Sequence, residues 1–543
     1  MYPNPHIRIL EVVDTDLIQV ITNYEKDVNY YDKHNLVVYA IENNIVILNS
    51  GIQILNTTAQ EILTPNEESI VDLVKIVEGY IDNLLPVLGE TGNPLSVALA
   101  NTGQLDAFDA LRVSSNGNRF DNEFIYGLDE ESIDNVLLGR GSTATWNTNS
   151  RDVTLAIVDA INGSGRALYS HYDIPYTAGN SQRIIGTGVL NLANIAGGTA
   201  YFFLRTKVTG AVVDYPTDIT ILTTDIDWSF AHIFDMDFQS LKVGRIRFRL
   251  NKDGLPYDLG SILNDNVRNT GYWQNPTLPA MWRIYNDATY TYTEIGYGDG
   301  DNAIGIRYRV PKNALATMKA ICVTVKSESG EEIFNMPGKN RSQDSGLTAK
   351  VVTTTRNVMM SIRPRATFKG VTNRMLYIPL SYSYTGDNPT RVRILYKPTL
   401  TGAVWLPCGD PITAGSFDVG EWYVILSIGS TDFTLIGASA NTVGLSFIAT
   451  GVGAGTGTAV DEHSGMEYDI SASAITGGSL IDSTHFATAK NNPNGLDGIL
   501  GKTIMSLNRT AIPDILSGTA IRSSLATANS SSYFSFNWKE IGR

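Results

Sequence analysis

Runs that alternate apolar and polar residues with a period of two recur along this chain, from Arg151 to its last ten residues. In GRIRFRL (244–250), Arg245, Arg247 and Arg249 alternate with Ile246, Phe248 and Leu250. Successive side chains of a strand point to opposite faces, so the pattern predicts one wet and one dry face. RDVTLAIVDA, RALYSHYDI, TAYFFLRTKVT, IGIRYRV, AICVTVKSE, NVMMSIRPRATF, MLYIPLSYSY and RVRILYK have the same texture. Many such strands at short spacing predict a β-sandwich or jelly roll. Composition agrees: 49 Gly, more Tyr (26) than Phe (17), and only 18% charged residues. Such usage favours strands and turns over helices.

The texture changes along the 543 residues. Residues 1–62 read as a small β unit of hairpins, with runs broken by DKHN, ENN and NSG. Residues 63–103 hold a helix and linker. Thr64 is placed as N-cap, Pro65 at the first helical position and Glu67 three residues after the cap. Ile70, Val74, Val77, Ile81 and Leu84 then recur in 4-3-4-3 steps until Pro86. Two readings fit this seam. It is either one face of a helix packed on its own domain or a short coiled coil that gathers copies of the chain. Ile and Val at both seam positions lean toward three strands. Residues 104–415 read as the first part of a large β domain, 416–459 as an inserted β module with strands WYVILSI, DFTLIGA and LSFIAT, and 460–543 as a return to the large domain. In SSSYFSFNWKEIGR, Phe534, Phe536 and Trp538 alternate with Tyr533, Ser535 and Asn537, which predicts a final strand.

Charge and motifs exclude several function classes. The formal net charge is −14 with no Lys/Arg run, the wrong sign for gripping nucleic acid through phosphates. No apolar run reaches the ~18 residues of a membrane span, and MYPNPHIRILEVVDTD has no signal-peptide pattern. Cys322 and Cys408 stand 86 residues apart, as buried unpaired thiols would. The six His show no zinc-like spacing, and no nucleophile elbow occurs. His171, beside Tyr172 and Asp173, is the best lone candidate, and a His satisfied by its neighbours is the plainer reading. GVGAGTGTA (451–459) lacks the register of a dinucleotide site and reads as a turn where Gly permits positive φ. Asp299, Asp301 and Asn302 in GYGDGDN place oxygens at alternate positions, as calcium ligands are, but no Glu completes the loop. Asp225/Asp227 and Asp235/Asp237 have a spacing a glycosidase would accept. The plainer account is a wet strand face. Trp273 and Tyr297 read either as sugar-stacking aromatics or as core. No catalytic, cofactor or metal residue is assigned.

The segment DAFDALRVSSNGNRFDNEFIYG (106–127) resembles the start of a domain found in virion proteins of tailed bacteriophages. RALYSHYDIPYTAGNSQRIIGTGVLN (166–191), TDIDWSFAHIFDMDFQSLKVGRIRFRL (224–250) and YFSFNWKEI (533–541) are similar to later parts of it. The 416–459 stretch resembles a module that recurs in phage fibres and baseplate-associated chains. The run Phe238, Gln239, Ser240, Leu241, Lys242 departs from the W-L-G of the pattern. The resemblance implies a non-enzymatic structural protein of the virion, associated with tail, fibre, baseplate or collar. It would be assembled in the host cytoplasm as a homo-oligomer, most simply a trimer, docked to other virion proteins and needing no cofactor. A capsid-surface or head-fibre protein is the first alternative. A host-glycan-binding spike or depolymerase is the second.

Overall fold

The computed structural model describes residues 7–14, 17–22 and, with short interruptions, 117–542. The chain divides into two compact units, Met1–Ala100 and Asn101–Arg543. Within the described residues of the first, Ile7–Asp14 and Leu17–Thr22 pair antiparallel. The seam residues Ile70, Val74, Val77, Ile81 and Leu84, and the rest of the 63–103 helix and linker, lie outside the described residues.

The second unit is mainly β, built as sandwiches. Two eight-stranded sheets form a first sandwich. One sheet runs through Ile246–Lys252, His232–Gln239, Ser181–Val189 and Thr317–Ser327. The other runs through Thr199–Val208, Ala303–Pro311, Tyr290–Gly298, Ala280–Asn286, Gly165–Ser170 and Ile133–Leu138. Their facing side chains interdigitate as aligned sheets do. Phe202 of one sheet stacks on Phe248 of the other at 4.7 Å, within a core that includes Leu155, Ile184, Trp282 and Ile306. Aromatic pairs at such distances add about 1 kcal/mol each beyond their burial.

From Lys339 on, the strands pair among themselves. A five-stranded sheet around Leu376–Gly386 and Ser530–Ile541 packs on a six-stranded sheet around Asn357–Pro364, Thr390–Tyr396 and Leu516–Arg522. Phe534, Phe536 and Trp538 all point into this second core, as their alternation predicts. The sheets meet closely at Gly518, where a Cβ would stand 2.3 Å from the Phe534 ring. The stretch read as one β region from 104 to 415 thus contributes strands to two successive sandwiches.

Pro411–Thr413, Trp422–Ser427, Ser446–Ile448 and Thr458–Asp461 form a four-stranded sheet with its own core of Phe417, Tyr423, Phe433 and Phe447. Here DFTLIGA, read as a strand, is instead a 3-10 turn, Phe433–Ile436. Asp432 caps it, its carboxylate accepting from the Thr434 N–H, and Gly437 ends it at φ +107°. The cap outweighs the strand-like alternation. Gly453 (φ +76°) and Gly455 (φ +105°) take the left-handed backbone expected of the glycine-rich turn.

The Arg face of GRIRFRL is not wet. Arg247 is 4% exposed and Arg249 is fully buried, beside Asp235 and Asp237, which are buried as well. Register explains this. Asp235 lies opposite Arg249, and Asp237 lies between Arg247 on one neighbour and Arg183 on the other. Arg183 grips Asp235 through Nε (2.9 Å) and Nη2 (2.7 Å), and Arg249 Nε donates to the same carboxylate at 3.0 Å. Arg247 and Arg249 both reach Asp237, at 2.9 and 2.6 Å. Opposite charges directly across neighbouring strands stabilise a sheet, and here they replace water.

Candidate active or binding site at the sandwich junction

The chemically capable residues gather where the first sandwich meets the second. His171 follows the strand Gly165–Ser170, and Asp134 lies on the neighbouring strand Ile133–Leu138. Asp514 comes from the second sandwich, in the loop Asn508–Asp514. His171 Nδ1 stands 2.7 Å from Asp134, and Nε2 stands 3.0 and 3.1 Å from the two oxygens of Asp514. Burial works against an imidazolium here. The hydrogen bonds and charges of Asp134 and Asp514 outweigh it and raise the His171 pKa to about 9. Both ring nitrogens then donate, so no lone pair is left to act as a base. Burial also opposes the Asp514 carboxylate, but His171 and Lys397 hold its pKa below the usual range. Lys397 Nζ lies 3.3 Å from both Asp514 and His171 Nε2, and donates to the Glu130 carbonyl. The His is therefore satisfied, as the plainer reading expects, by partners 37 and 343 residues away.

A second cluster adjoins it. Arg509 donates to Asp173 through Nη2, and its backbone N–H donates to Asp134 at 2.7 Å. Arg374 bridges Asp173 (3.3 Å) and Asp299 (2.8 Å). Asp299 also accepts from the backbone N–H groups of Asp301 and Asn302, at 2.8 Å each. GYGDGDN is thus a hairpin tip whose acidic oxygens serve the turn and Arg374, while Asp301 pairs with Lys207 at 2.8 Å. Among the described residues no group of three His, Cys, Asp or Glu is arranged to hold a metal ion.

Two cavities open on this junction, one on each side of Arg509. The larger, about 720 Å³, is lined by His171, Asp134, Lys397 and Asp514. The smaller, about 300 Å³, lies between the outer face of the first sandwich and the segments 372–376 and 506–511. They share Val136, Asn508 and Arg509. The loop between them is self-bonded: Asn508 Oδ1 accepts from the N–H groups of Thr510 and Ile512, and Ala511 sits at φ +61°. That left-handed backbone costs a non-glycine residue about 1 kcal/mol or more, and the surrounding bonds hold it.

The other residues considered from sequence lie elsewhere. Asp235 and Asp237 belong to the buried Arg ladder, not to a wet face, because their carboxylates are taken up by guanidinium groups. Asp227 accepts from Ser229 at a turn, and Asp225 lies outside the described residues. Trp273 and Tyr297 are core residues at 1% and 0% exposure, which removes them as sugar-stacking surfaces. The Tyr297 hydroxyl donates inward to the Ile174 carbonyl at 2.9 Å. Cys322 and Cys408 are free. Sequence reasoning missed Asp134, Arg374, Lys397, Arg509 and Asp514. Nothing local marks them, since each gains its role from a partner in a distant segment.

No family model and no curated protein matches this chain. Among solved structures it is similar to the carbohydrate recognition domain of Emp46p in its metal-free form, at 10% identity and TM-score 0.17 over 39% of this chain and 98% of that one. It is similar to lectin II from Ulex europaeus at 12% identity and TM-score 0.16, over 39% and 99% of the two chains. A carbohydrate esterase, vb_24B_21 from Shiga toxin-encoding bacteriophage phi24B, aligns at 10% identity and TM-score 0.16 over 39% and 99%. With TM-scores this low, none of these proteins' activities transfers to this chain.

Proposed function

We propose that this protein is a non-enzymatic structural component of a tailed-phage particle, working through the surfaces it offers to neighbouring subunits. The sequence resemblance over 104–543 suggests the setting. The observation that carries the inert reading is the fate of the carboxylates. The pair best spaced for glycoside hydrolysis, Asp235 and Asp237, is buried and held by Arg183, Arg247 and Arg249. A glycoside hydrolase that works through a carboxyl pair needs one carboxyl protonated and one free across an open sugar site. Burial disfavours the Asp235 carboxylate, but Arg183 and Arg249 outweigh that and depress its pKa, the opposite of what a general acid requires. His171 is likewise spent on joining two sandwiches. These pairs suit a rigid body better than a reaction.

In this reading the protein docks to tail, fibre or baseplate partners as a homo-oligomer, with a head-surface position as the alternative neighbour. Immunogold labelling of purified particles tests it. Label at the tail or baseplate is expected, and label at the capsid moves the protein to the head. Particles that carry no label and lack the chain in their protein inventory overturn the proposal. The mass of the full chain in solution tests assembly. A single species of one chain mass, 59.2 kDa, at micromolar concentration would refute the seam of Ile70, Val74, Val77, Ile81 and Leu84 as an association element.

A further inference from the structure

The smaller junction cavity is built for a ligand. Its volume of about 300 Å³ lies at the lower end of small-molecule pockets, ~300–1,000 Å³. One wall is the outer face of the first sandwich: Val136, Leu138, Tyr169 and Arg283. Arg374, Arg509 and Ser506 face it from the second. Gly300, Thr372 and Ala511 also line it and are exposed, so the cavity has a mouth.

Its polar groups are unbalanced. Three guanidinium groups, Arg283, Arg374 and Arg509, meet two carboxylates, Asp173 and Asp299. Arg374 and Arg509 are engaged by those carboxylates. Arg283 makes no hydrogen bond among the described residues. Its nearest carboxylate oxygen, on Glu294, is 3.7 Å away, too far for one. Glu294 is shared with Arg205 and Arg307. Stacking over the Tyr285 ring, at 4.1 Å to the centroid, holds the Arg283 plane in place. The excess positive charge in a cavity with a mouth calls for an anionic, acceptor-rich occupant, and Arg283, which makes no hydrogen bond among the described residues, is the guanidinium placed to meet it. Asp173 and Asp299 retain lone pairs that can accept from hydroxyl groups. Leu138 and Tyr169 supply an apolar wall for a C–H face.

We propose that this cavity binds one carboxylated sugar ring, either free or as the end residue of an acidic polysaccharide. The carboxylate meets Arg283, the ring hydroxyls meet Asp173 and Asp299, and the ring face rests on Leu138 and Tyr169. The inference stands on the cavity alone and does not depend on where in a particle the protein sits.

Titration calorimetry of the full chain tests it, with D-glucuronate and D-galacturonate as probes and D-glucose as the neutral control. Saturable binding of one acid at about 1 mM or tighter is expected, with glucose at least ~10-fold weaker. Arg283→Gln should weaken the acid at least ~10-fold with little change in the unfolding midpoint. Should that variant unfold early, Arg283→Lys, which keeps the charge but loses the planar two-pronged donor, supplies a second readout, expected as a several-fold loss. A glucuronate-ended oligosaccharide that binds more tightly than the free sugar identifies a polysaccharide end as the source, and equal affinity identifies the monosaccharide. Absence of saturable binding by either acid at ~20 mM, or equal binding of glucose, overturns the proposal. So does undiminished binding by both folded variants.

Discussion

Replacing His171 with Gln removes the cation that joins Asp134 of the first sandwich to Asp514 of the second. The His171 pKa rises from 6.5 in the unfolded chain to about 9 in place. At about 1.4 kcal/mol per unit, this bonding contributes about 3 kcal/mol to keeping the junction closed. A raised folded pKa gives stability that is fully present below the unfolded value and is lost as pH climbs through the folded one. The loss therefore falls between about pH 6.5 and 9. Lys397 and the two carboxylates face the ring in wild type and variant alike, so a difference between the proteins isolates the imidazole. The natural reporters are the N–H groups of Ser506 and Arg509, which donate to Asp514 (2.9 Å) and Asp134 (2.7 Å). Hydrogen exchange of these amides reads local opening, which need not follow global unfolding in a chain of several bodies. After correction for intrinsic exchange, wild-type protection should fall roughly 200-fold between about pH 6 and about pH 9.5, while the His171→Gln protein, already less protected at pH 6, changes far less. Equal pH slopes in the two proteins would refute the claim that a charged His171 clamps the junction.

Asp237→Asn leaves Arg247 and Arg249 short of a buried counter-charge, so the first sandwich should lose about 3–5 kcal/mol in urea unfolding, with no reducing-sugar release before or after the change. Gly518→Ala pushes a methyl group into the Phe534 ring, 2.3 Å away, and calorimetry should show the second sandwich weakened by about 1–3 kcal/mol. Cys408 is buried, and burial pushes its thiol pKa well up. An aromatic disulfide reagent should therefore label the partly exposed Cys322 in the native protein and Cys408 only after unfolding.

Alternation fixes which residues share a face of a strand, but not what covers that face. GRIRFRL and HIFDMDFQ alternate so regularly that their strands were legible, and alternation also told which residues share a face. Assigning the charged faces to water assumed that a polar face is a solvated one. That fails when a neighbouring strand places opposite charge at the same register, as Asp235 and Asp237 do for Arg249 and Arg247. DFTLIGA differs for a local reason: its pattern fits a strand, but the Asp432 carboxylate and Gly437 close a turn. Phe534, Phe536 and Trp538, with no charge among them, were read correctly because burial was their only favourable state.

Local chemistry thus determined where the strands run, which apolar residues enter the cores and where glycine must turn the backbone. Each of these preferences acts over a few residues and can be read in order. The junction was decided by tertiary structure alone. Asp134, His171, Asp173, Arg374, Arg509 and Asp514 span nearly four hundred positions, and nothing in any one segment specifies a partner in another. The raised pKa of His171 and the lowered pKa of Asp514 depend on distance and burial, which exist only once two independently cored sandwiches have met.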